Sequence, residues 1–208
     1  MARVSEPELI HAGLNLRNHS PAALRRLESD VFGFWVFLMS DALLFALLFA
    51  VYGTMLGGAP SADSQFKIGP AFQETWLLLT SSFTYGMVSL SLKLGLRRRW
   101  VALWLGVTFC LGAGFIVLEV SDFLDMFAHG ATPEASGALS SFFVLVGTHG
   151  LHVTSGLIWI VLMAAQMAVY GLDDRVKINL IRLGLFWHFL DVVWVAIFSV
   201  VYLRGLLA

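Results

Sequence analysis

Five stretches of this chain are too long and too apolar for water to be their solvent: about 31–56, 75–96, 101–127, 139–170 and 180–206. A helix crossing a hydrocarbon core of about 30 Å needs about 20 residues. Each run meets that length, and the fourth is long enough to tilt or to project beyond the lipid. In lipid every backbone N–H and C=O must be bonded internally, so only helices and closed barrels can cross. Barrel strands alternate polar and apolar residues, and these runs do not. The expected fold is an all-α integral membrane protein. A cytoplasmic arm, residues 1–30, precedes a single five-helix bundle over residues 31–208.

Composition narrows the function. Charged residues make up 13% of the chain, against about 25% in soluble domains. A net charge of −1 argues against nucleic acid, whose partners carry a basic excess. The one cysteine, Cys110, offers neither an intrachain disulfide nor a zinc spacing, and is expected to be an inert packing residue. About thirty polar or mixed residues precede the first apolar run. That order predicts an uncleaved anchor rather than a signal peptide. "SPAALRRLE" offers a short surface helix with a serine cap and proline in its first turn, a partly ordered tail being the alternative. "GGAPSADSQFKIGPAFQ" reads as a loop.

Basic residues orient the bundle. Eleven lie in the N-terminal arm, in the link between helices two and three, or around the start of helix five; only Lys67 and Arg204 fall on the other side. The positive-inside rule then predicts a cytoplasmic N-terminus and a periplasmic C-terminus. The cluster "KLGLRRRW", with Lys93, Arg97, Arg98 and Arg99, serves that topogenic role. It also suits anionic lipid headgroups, at about 1 kcal/mol per basic side chain.

Ionisable residues inside such helices cost about 2.5–3.5 kcal/mol each and need a reason. Asp41, His149, His152, His188 and Asp191 all fall roughly 12–20 Å along their helices, in one layer near mid-membrane. Glu119 lies nearer the outer interface. His149 and His152 are three apart, as are His188 and Asp191, which predicts a shared face for each pair. Glycines 147, 150 and 156 predict close helix packing there. Three chemistries compete for this layer. His152 and His188 offer axial haem ligands, as in a membrane electron carrier. Stacked polar groups offer a proton path, as in a proton-coupled transporter. Interhelical hydrogen bonding, with imidazoles donating to Asp41 or Asp191, is the favoured reading. The tryptophans read mostly as interfacial anchors and packing, with Trp194, three after Asp191, expected to share its interior face.

"GTHGLHVTSGLIW" and "FWHFLDVVW" together resemble subunit III of the haem–copper terminal oxidases. "FGFWVFLMSDALLFALLFAVY", "LLLTSSFTYGM" and "GAGFIVLEVSDF" are similar to the earlier helices of its five-helix form. The similarity runs from about 32 to 203, and helices one to three are most similar to the cytochrome o ubiquinol oxidase branch. Subunit III of a cytochrome c oxidase is the alternative. The resemblance implies a bacterial inner-membrane complex that reduces oxygen to water and pumps protons. It places haems and copper in a partner subunit I, alongside subunits II and IV. This chain would then have no catalytic or metal-ligating residue and no cofactor of its own. It would stabilise subunit I, bind phospholipid and support proton uptake. Asp41 stands where many members have a membrane-embedded, carbodiimide-reactive glutamate one methylene longer. Glu119 stands where some cytochrome c oxidase members have glutamine.

Overall fold

The computed structural model describes residues 21–56 and 68–203. The arm before residue 21, most of the first loop with Lys67, and the tail with Arg204 lie outside the described residues. Regular structure among those described is helical throughout: α1 (Pro21–Leu56), α2 (Ile68–Lys93), α3 (Arg98–Ala128), α4 (Gly137–Tyr170) and α5 (Asp174–Ile197). A π-helical turn, Phe198–Leu203, extends α5, and a 3-10 turn, Pro133–Ala135, precedes α4.

Two boundaries differ from the sequence reading. The surface helix expected near Pro21 is not separate, because α1 runs unbroken from Pro21 to Leu56. Proline suits a first turn, where its missing N–H would have no intrahelical acceptor. The end of the glycine- and proline-rich segment is also helical, since α2 begins at Ile68. Pro70 again occupies the first turn.

Among the described residues, four helices are long and apolar enough to cross a membrane: Phe32–Met55, Arg98–Ala128, Gly137–Tyr170 and Arg175–Tyr202. The exception, α2, has the length but carries Glu74, Thr75, Thr80, Ser81, Ser82, Thr84, Ser89 and Ser91. The chain is thus a multi-pass helical membrane protein by length and apolarity of its helices.

The described links, after α2, α3 and α4, are short and chemically defined. Gly95, at φ +62°, ends α2 in the left-handed region that favours glycine. There the Leu96 amide reaches back to the Ser91 carbonyl at 3.0 Å. Ser136 caps α4 by accepting from the Leu139 amide at 3.1 Å. The Ser140 hydroxyl ties the same turn to the Pro133 carbonyl. Such links force neighbouring helices antiparallel. Pairings distant in sequence give the same sense: Asp41 meets His152 and Met55 meets Gly137, so α1 runs antiparallel to α4. Thr75 meets Trp194 while Tyr85 meets Leu180, so α2 runs antiparallel to α5.

Charge segregates along the bundle axis as a result. One end carries Lys93, Arg97, Arg98, Arg99, Arg175, Lys177 and Arg182 against Asp173 and Asp174, and the opposite end carries Glu74, Glu119, Asp122, Asp125 and Glu134. The Arg98 guanidinium donates to the Ala168 carbonyl at 3.2 Å, placing a cation at the negative end of the α4 dipole.

Apolar side chains face outward as readily as inward. Leu43, Leu47, Phe83, Leu151 and Val192 are exposed, whereas Ser81, Thr84, Thr108 and His149 are buried. That distribution suits a hydrocarbon solvent, where association depends on packing and hydrogen bonds instead of water exclusion.

Candidate functional site: a buried polar layer tying the helices

The polar layer is three separate connections, not one network. The first joins α4 to α1. His152 Nε2 lies 3.2 Å from Asp41 Oδ1, and His152 Nδ1 lies 2.7 Å from the Thr148 carbonyl. A carbonyl only accepts, so Nδ1 carries a hydrogen. The ring therefore ties α4 to α1 through Nε2 while its other nitrogen faces its own helix. Asp41 Oδ2 is buried without a partner.

His149 makes the second connection. It is fully buried and its Nε2 donates to the Leu190 carbonyl of α5 at 3.2 Å. The ring meets Phe115 edge-on at 5.6 Å and lies 5.1 Å from Trp194. It therefore bonds to backbone, and neither Asp41 nor Asp191 accepts from it.

The third connection joins α5 to α2. His188 Nδ1 lies 2.7 Å from the Ser82 hydroxyl. Ser82 thus ties the histidine of the "FWHFLDVVW" motif to α2. Asp191 Oδ1 is buried without a partner.

The hydroxyls of α2 are the part the sequence reading missed. Ser81 donates to the Leu78 carbonyl at 2.8 Å, which leaves its oxygen lone pairs free to accept from Trp187 Nε1 at 3.1 Å. Thr75 does the same: it donates to Ala71 at 2.8 Å and accepts from Trp194 Nε1 at 3.1 Å. The Tyr85 hydroxyl donates to the Leu180 carbonyl at 2.7 Å, and Thr84 pairs with Thr108 of α3 at 2.9 Å. Trp194 is a buried donor on the interior face expected of it, and Trp187 is another rather than an interfacial anchor. The legible signal was a match of spacings: indoles seven apart on one helix, hydroxyls six apart on an antiparallel one.

Glycines admit these aromatics, though not all those expected. A Cβ on Gly156 would meet the Trp187 ring at 3.0 Å, and one on Gly112 would meet it at 2.8 Å. Gly150 faces the Glu119 carboxyl, whereas Gly147 has nothing within 4 Å. The histidine-flanking glycines thus seat side chains from α3 and α5, and Gly147 seats none.

The remaining sequence candidates lie at the two ends. Glu119 is buried between α3 and α4. Lys93, Arg97 and Arg99 are exposed at the basic end, while Arg98, also exposed, reaches Ala168. Cys110 is exposed on the outer surface of α3. Among the described residues, no three His, Cys, Asp or Glu side chains are grouped to hold a metal ion. His152 and His188, the pair that offered axial ligands, turn to different helices.

A helical membrane bundle with this polar interior is a class, and similarity narrows it. The sequence profile of the family described as Cytochrome c oxidase subunit III matches residues 9–206. The cytochrome bo(3) ubiquinol oxidase subunit 3 of Pseudomonas putida is 48% identical over 86% of this chain and 88% of its own length. The quinol oxidase subunit 3 of Bacillus spizizenii is 39% identical over 85% and 88%. The cytochrome c oxidase subunit 3 of Bacillus sp. (strain PS3) is 42% identical over 86% and 87%. The chain belongs to the cytochrome c oxidase subunit III family, the third subunits of haem–copper oxidases.

Proposed function

We propose that this chain is the subunit III of a ubiquinol oxidase in a bacterial inner membrane, where it supports the complex without carrying its chemistry. The observation that bears the reading is that each histidine of the polar layer is spent on joining helices: His152 to Asp41, His149 to Leu190, His188 to Ser82. Oxygen reduction then belongs to a partner subunit I holding haems and copper, with subunits II and IV completing the assembly. In this reading all five helices cross the membrane, α2 being shielded by its neighbours. The basic end lies in the cytoplasm, as positive-inside placement requires.

Two contributions follow. Lys93, Arg97 and Arg99, exposed at the basic end, hold anionic phospholipid against the partner. The Asp41–His152 pair, an ionisable contact buried between α1 and α4, belongs to proton supply. Ubiquinol is favoured as donor by the 48% identity to a relative named for it. The 42% identity to a cytochrome c oxidase subunit supports cytochrome c as the second reading.

Purifying the native complex through a tag on this chain tests the assignment. A haem–copper subunit should co-purify, and the preparation should oxidise ubiquinol. Oxidation of cytochrome c alone would move the assignment to the second reading, and a preparation with no haem-bearing partner would overturn both.

A further inference from the structure

The acidic end of the bundle holds two carboxyl groups that the proposed role leaves unused. Glu74, near the start of α2, is 1% exposed, and Glu119, late in α3, is 4% exposed. Thr84 pairs with Thr108 at 2.9 Å and Leu77 packs on Gly114, an antiparallel register that sets Glu74 opposite the turn of α3 that carries Glu119. Glu74 Oε1 and Glu119 Oε2 are each buried without a hydrogen-bond partner. Glu119 is pressed against α4, where a Cβ on Gly150 would meet its two carboxyl oxygens at 2.6 and 2.7 Å. Only glycine leaves the space that this carboxyl fills.

The surroundings supply further acidic and phenolic groups. Asp122, on the next turn of α3, acts electrostatically on Glu74. Tyr202 of the π-helical turn feels Glu74, Glu119, Asp122 and, from α1, Tyr52. From α4, fully buried His149 precedes Gly150, and its Nδ1 has no partner. Every Lys and Arg side chain among the described residues sits at the opposite end.

Two carboxylates buried on facing turns of a low-dielectric interior cannot both stay ionised without a cation between them. A proton is the smallest ligand that resolves the conflict, and the two oxygens then share it as one coupled unit. We propose that Glu74 and Glu119 form a buried carboxylic acid–carboxylate pair binding one proton, a proton site distinct from Asp41–His152. Its net charge is −1, and the proton exchanges with bulk water at the acidic end. This inference needs no particular electron donor or partner, so it can fail while the subunit assignment stands, and the reverse.

Infrared spectra of the full chain in lipid nanodiscs, with isotope-labelled glutamate, test it at neutral pH. The wild type should show a labelled protonated-carboxyl band that shifts in heavy water. Glu74→Gln and Glu119→Gln should each lose that band, because the new amide donates to the surviving carboxylate and lets it ionise. Glu119→Asp should keep a glutamate band only if the proton passes wholly to Glu74, at a shifted frequency. Circular dichroism confirms that each variant is folded; the heavy-water shift is read on the wild type alone. No wild-type band would overturn the proposal, whether Lys67, Arg204 or a bound cation neutralises the pair. A band appearing only after chelator treatment would identify that cation and overturn it equally. A band surviving in either glutamine variant would show that the proton is not shared.

Discussion

The indole of Trp187 is seated on Gly112, so closely that a Cβ there would meet the ring at 2.8 Å. Gly156 lines the same ring from α4, so one tryptophan of α5 locks α3 and α4 together while donating to α2. Gly112→Ala should cost about 1–3 kcal/mol, the usual penalty for overpacking. Gly106→Ala, on the same helix with nothing within 4 Å, should be neutral or slightly stabilising. Unfolding midpoints in detergent, compared for the two variants, check this. Equal midpoints would mean the ring has room to move.

His152→Leu should loosen the α1–α4 contact without unfolding the chain. It strips Asp41 of its one hydrogen bond, at a cost of about 1–3 kcal/mol for a buried unsatisfied group. Asp41→Asn keeps a donor toward Nε2 and should cost no more than about 0.6 kcal/mol, the average for membrane hydrogen bonds. The ordering of the two variants in the same unfolding assay is the result that matters. An asparagine variant as weak as the leucine one would mean the charge itself holds the helices.

Orientation can be read with thiol chemistry. In a Cys110→Ala background, cysteines at Ser61 or Ala135 should react with an impermeant reagent added outside intact cells, and one at Asp174 should not. Labelling at position 174 alone would invert the topology.

Removing lipid-binding charge should release lipid. Replacing Arg97 and Arg99 by glutamine takes away about 1 kcal/mol of headgroup attraction each, about thirtyfold in affinity for the pair. Phosphorus assay of the purified complex should show less bound anionic phospholipid. Arg98→Gln differs in kind, since it also uncovers the end of α4 at Ala168, and should lower stability as well.

Removing the whole chain should leave the haem and copper content of the remaining complex intact. Initial oxygen consumption should persist at a reduced rate, with faster inactivation over successive turnovers and slower proton uptake at high pH. Stoichiometric loss of a haem or copper with this chain would defeat the non-catalytic assignment. An unchanged inactivation rate would leave only a role in assembly.

What the sequence determined by itself was everything that depends on one residue and its solvent. Run length and apolarity predict five spans; four of the described helices suit a membrane, and the run from 75 to 96 lies on a helix, α2, too polar to be counted with them. The histidine motifs named the family because residue type and spacing need no third dimension. Partner choice was different. On an α-helix, residues three apart point about 60° away from each other, so His149 and His152 on a shared face still meet different helices. When nearly every position around a helix is apolar, periodicity does not reveal which side faces the bundle. Packing decided that, by seating Trp187 on Gly112 and Gly156 and Glu119 on Gly150. Those contacts turned the α2 hydroxyls toward α5, where the indoles and His188 needed partners. The sequence contained every one of these groups; only the rotation of each helix about its axis determined which of them would touch.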